Sequence, residues 1–122
     1  MKFLVLVYGN EQVWGDPAVD IAALIAEVDA FNASLRESGE LVAVEGLVTA
    51  PRAVRAQGGV PVVSDGPYLE AKEHVGSFFV VDVHSEERAL EIARSYPALR
   101  HSSALGGGLE VWPLMTHGDA PA

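Results

Sequence analysis

Apolar residues follow two rhythms along this chain, one suited to strands and one to helices. "KFLVLVY" (2–8) is a continuous β-branched and aromatic run, the pattern of a central strand covered on both faces. In "GDPAVDIAALIAEVDAFNASLRESGE" the spacing changes, and Ile21, Leu24, Ile25, Val28, Phe31 and Leu35 recur on one face of a helix. Asp16 reads as the cap of that helix, Pro17 as its first residue and Gly39 as its terminator. "LVAVEGLV" (41–48) predicts a second strand, and "AVRAQGGVPVV" a hairpin that turns at Gly58-Gly59, with Pro61 placing it at an edge. "HVGSFFVVDV" (74–83) is a further strand, "SEERALEIARSY" (85–96) a helix capped by Ser85, and "LEVWPLM" (109–115) the last strand. The remaining "THGDAPA" (116–122) reads as a frayed tail.

The predicted order is strand, helix, strand, hairpin, strand, helix, strand. Two helices can cover only one side of a sheet, which describes an α+β, ferredoxin-like sandwich with an inserted β-hairpin in one domain spanning 1–115. The strands are apolar on both faces, so the uncovered face is expected to pack on a second copy and give a homodimer.

Composition narrows the partners. A 122-residue chain with 49% hydrophobic residues suffices for one packed core. Seventeen acidic residues against eight basic ones, a net charge of −9, argue against nucleic acid and anionic membrane surfaces. The absence of cysteine excludes disulfides and thiolate chemistry. The start has one early positive charge, a short apolar run and no small-residue cleavage site behind it, so it reads as the first strand of a cytoplasmic protein.

Candidate chemistry concentrates between residues 62 and 83. Asp65-Gly66-Pro67 is either a local turn or a rigid mount that holds the Asp65 carboxylate at a cleft as a general base. Lys72 and Glu73 are either a solvated ion pair or substrate-binding groups, Lys72 supplying positive charge. His101 is the acid–base candidate among four histidines, set against its reading as a surface residue. His74, His84, His101 and His117 lack ligand spacing, so no metal is expected, and nothing calls for another cofactor. Tyr8, Trp14, Tyr68 and Trp112 carry polar tips suited to a pocket wall, and equally to a core or interface. Tyr8 and Tyr68 are the substrate-binding choices. Arg52 and Arg55 read as guards of the hairpin edge. The serines lack a nucleophile elbow, and "LGGGLE" lacks the spacing of a phosphate loop.

"DGPYLEAKEHVGSFFVVDV", followed by "SEERALEIA" and "LEVWPL", resembles the YCII-related proteins that carry an Asp-Gly-Pro-Phe (DGPF) motif. The likeness lies in Asp65-Gly66-Pro67, Lys72-Glu73 and Gly76, with Tyr68 where phenylalanine is usual, Ser77 in place of a second glycine and Trp112 at an often basic position. The resemblance implies a bacterial, cytoplasmic dimeric α+β barrel whose members are often associated with extracytoplasmic-function sigma factors. Some wider relatives are similar to small lyases acting on aromatic compounds through a histidine–aspartate pair. Three functions follow as expectations. One is a cofactor-independent lyase or isomerase-like proton-transfer enzyme on a small aromatic or lactone-like compound, with Asp65 and His101 as partners. Another is a non-catalytic small-ligand module, and the third a sigma-factor-associated interaction protein.

Overall fold

A computed structural model describes residues 1–9, 19–48, 50–66, 74–102 and 107–116, without the side chains of His101 and Ser102. Strand β1 (Lys2–Gly9) pairs antiparallel with β5 (His74–Asp82) on one side and β6 (Gly108–Pro113) on the other, while β2 (Leu41–Gly46) adds to the far edge of β5. The sheet order β2-β5-β1-β6 is that of a ferredoxin-like α+β fold. Helix α1 (Ile21–Glu37) connects β1 to β2, and α2 (Glu86–Arg94) with the short α3 (Leu99–Ser102) leads from β5 to β6.

Alternation along the strands decides which face the helices take. Phe3, Val5, Phe79 and Val81 are almost wholly buried and, with Leu35, Val83, Ala89, Ile92 and Tyr96, form the core under α1 and α2. The intervening residues occupy the opposite face. Ala43, Val80, Leu4 and Trp112 form one row across the four strands, and Glu45, Phe78, Leu6 and Glu110 form the next. Leu4, Leu6, Phe78 and Val80 stay partly exposed there, and Trp112 is 52% exposed.

Local signals place the helices, with one correction. Asp20, in extended backbone, accepts the Ala23 amide at 3.1 Å, so α1 begins at Ile21 with Asp20 as its cap, not four residues earlier at Asp16. Asp16 and Pro17 lie outside the described residues. Both aspartates precede the apolar stripe; only Asp20 stands three residues before an amide of the first turn. Ser85 caps α2 through the Arg88 amide, as expected. At the other end of α1, Gly39 adopts φ +80, and the Gly39 and Glu40 amides donate back to Arg36 and Leu35.

That turn aims Glu40 at α2. The Glu40 carboxylate takes two 2.8 Å hydrogen bonds from Arg88 and a third of the same length from the Ser38 hydroxyl. The hydrogen bonds from Arg88, more than any other cause, hold the Glu40 carboxyl down at about 2. The predicted hairpin is present as β3 (Arg52–Gln57) and β4 (Val60–Asp65), a separate two-stranded sheet turning at Gly58 and Gly59, both at positive φ. Helix α3 has no counterpart in the sequence pattern, because its four residues are too short for periodicity to register.

A carboxyl depressed from 4.5 to about 2 in the fold contributes stability that is complete above about 4.5 and is lost as pH falls through about 2. Urea unfolding across that window is expected to show Glu40→Gln less stable than wild type by roughly 1 to 2 kcal/mol at neutral pH. The difference should shrink toward pH 2.

Candidate functional site

The helices do not close the whole of the sheet they cover. Beneath the N-terminal half of α1, where β1 and β2 end and β5 begins, lies a cavity of about 400 Å³. Helix α1 contributes Leu24, Ile25, Val28, Asp29 and Asn32; the strand ends contribute Val7, Tyr8, Gly9, Val44 to Leu47, Gly76, Ser77 and Phe79. Tyr96 and Ala98, just past α2, complete the wall. A bulge shapes the strand side: Val7 pairs with Ser77 and Tyr8 with Val75, leaving Gly76 as the extra residue in β5.

Two ring-bearing residues of the lining, Phe79 and Tyr96, are almost wholly buried and belong to an aromatic cluster. Phe31 meets Phe79 and Tyr96 edge-on at 5.7 and 5.3 Å, and Phe79 stacks on Tyr96 at 5.9 Å. Polar groups interrupt this surface at few points. Burial pushes the Tyr96 phenol up, partly offset by its hydrogen bond with Ser77. Asn32 carries the sharper anomaly: its Oδ1 is buried and has no hydrogen-bond partner among the described residues. A buried acceptor left unmatched costs roughly 1 to 3 kcal/mol, so such atoms are rare and call for an explanation.

The residues singled out from the sequence are distributed unevenly about this cavity. Tyr8 is among the lining residues, but in β1 it alternates with Val7 onto the outer face with Leu6, and its phenol is raised there by a hydrogen bond with the Glu110 carboxylate, with burial and the Glu110 charge adding to the effect. Asp65 is the last residue of β4, outside the cavity lining, with its side chain 91% exposed and its carboxylate 2.9 Å from Arg52 Nε. The backbone of His101 lies in α3, while its side chain falls outside the described residues, as do Tyr68, Lys72, Glu73 and Trp14. Among the described residues no group of three His, Cys, Asp or Glu side chains is placed to hold a metal ion. No described helix is long and apolar enough to cross a membrane.

Asn32, Ser77 and Tyr96 are not among the residues that the sequence pattern selects as a site. Asn32 does carry a signal: it continues the Leu24–Val28 row at the next helical step, which makes it a polar residue on the core stripe. Ser77 and Tyr96 carry none, because only the fold brings the start of β5 beside the end of α2.

Residues 1–113 match the family described as the YCII-related domain. An uncharacterised protein of Rhizobium meliloti (strain 1021) is 31% identical over 129 aligned positions, which span 100% of each chain.

Tyrosine absorbance during an alkaline titration checks the electrostatics of the two sheet faces, Tyr96 on the helix side and Tyr8 on the outer side. Tyr8 and Tyr96 are both expected to ionise above the ordinary value of 10.0, and Glu110→Gln should bring Tyr8 alone back toward it. A titration unchanged by Glu110→Gln would remove that carboxylate from the account.

Proposed function

The chain belongs to the YCII-related domain family, and from that premise we propose that it is a small-ligand-binding protein working as a homodimer, with the cavity beneath α1 as its ligand site. The observation that carries this reading is Asn32, a residue of a largely apolar cavity wall whose buried Oδ1 has no partner among the described residues. A cavity of about 400 Å³ with few polar groups has the size and lining of a small-molecule site. A bound molecule that donates one hydrogen bond relieves the cost of the lone acceptor, which gives the residue a reason to be there.

Two features support a second copy. The outer sheet face offers Leu4, Leu6, Phe78 and Val80 in adjacent rows beside Trp112. The β3–β4 hairpin is a two-stranded sheet exposing Val54, Val60 and Val63 by more than half, and such hairpins are marginal in water without a packing partner. Sheet-on-sheet packing of two copies would cover the outer face and supply that partner.

An acid–base role for Asp65 draws no support from its exposed pairing with Arg52. Asp65→Asn is therefore expected to leave ligand affinity within about twofold, as for other exposed ion pairs.

Amide NMR with indole as probe tests the ligand site. Shifts should concentrate on residues 24–32, 44–47 and 76–77 and vanish in Ile25→Trp, which fills the half-exposed side of the cavity. Absent shifts, or shifts spread over the outer sheet face, would overturn the reading. Light scattering tests assembly separately: a mass twice 12.9 kDa is expected, falling toward the monomer in Trp112→Lys. A wild-type monomer at micromolar concentration would refute the dimer.

A further inference from the structure

The chemistry of the cavity wall also selects among ligands. Resting on the ligand-site reading, we infer that the cavity takes an uncharged or cationic, largely apolar molecule carrying an N–H or O–H donor, and that it discriminates against anions such as carboxylates. Three observations lead there. The unmatched polar atom is an acceptor, Asn32 Oδ1, so the group it calls for is a donor. The described lining residues include no Lys, Arg or His, so a buried anion would find no opposite charge to offset its desolvation. Asp29, an exposed lining residue of α1, adds negative potential around the opening, in a chain of net charge −9.

The apolar part of the ligand is matched to the remaining wall. Val7, Val28 and Val44, all partly buried, and the half-exposed Ile25 present aliphatic surface. An apolar body against that surface, with its donor turned to α1, uses both features together.

Two dyes of nearly the same skeleton separate charge from shape. N-phenylnaphthylamine is neutral with one N–H donor; anilinonaphthalene sulfonate adds an anionic group. Fluorescence titration of the full chain should show the neutral dye binding on the order of tenfold more tightly than the sulfonate. Asn32→Leu should weaken the neutral dye by about five- to tenfold, the weight of one hydrogen bond to a buried acceptor. It should leave the sulfonate nearly unchanged. Ile25→Trp should abolish the high-affinity signal of the neutral dye and thereby show that the signal comes from the cavity.

Equal or tighter binding of the sulfonate, blocked by Ile25→Trp, would overturn the ligand class while leaving the cavity as a binding site. Binding of the neutral dye that Asn32→Leu does not weaken would overturn the donor assignment. Dye signals untouched by Ile25→Trp would overturn the cavity reading and the ligand class together.

Discussion

Everything in this fold depends on burying one face of a four-stranded sheet under two helices of unequal length. At 1.5 Å per residue, α1 with 17 residues runs about 25 Å and α2 with nine about 13 Å. Phe3, Val5, Phe79 and Val81 on the two central strands need cover, and the helices supply it through Leu35, Ala89 and Ile92. The shorter helix runs out before the sheet does. Beyond its end the chain turns through Tyr96 and Pro97, and the space between α1 and the strand ends is left as the cavity.

The same constraint explains how the two ends of the molecule divide their work. At the closed end, the glycine turn after α1 delivers Glu40 to Arg88, and a charge-assisted, doubly hydrogen-bonded pair locks α1's exit to α2. At the open end the joints are softer: a β-bulge at Gly76, the cavity under α1 and one amide oxygen without a partner among the described residues. Strength at one end leaves room for a polar mismatch at the other. Binding sites commonly accept such a local cost of stability.

Much of the fold is legible in the sequence because its signals are periodic. The strands, both helices, the Gly58-Gly59 turn and the Ser85 cap follow from spacing and turn chemistry alone. The start of α1 is ambiguous at that level because Asp16 and Asp20 both precede the same apolar stripe, and only geometry shows that Asp20 reaches the Ala23 amide. The site is far less legible. Titratable residues from 65 to 73 stand out in the sequence, whereas Asp65 ends a strand in contact with Arg52, and the cavity is assembled from segments as distant as residues 24–32, 44–47, 76–79 and 96–98. Such convergence has no local signature. Asn32 is the exception: a polar residue in register with Leu24 and Val28 interrupts the apolar stripe, and helical spacing alone displays that interruption.

The central claim is that Asn32 is kept for a ligand and not for the fold. Its most direct test is the stability of ligand-free Asn32→Leu, measured by urea unfolding of purified protein. Removing a buried acceptor that has no partner, while keeping the volume apolar, should raise the unfolding free energy by roughly 1 kcal/mol or more. A loss of stability of the same size would show that the amide already has a structural partner and would contradict the account.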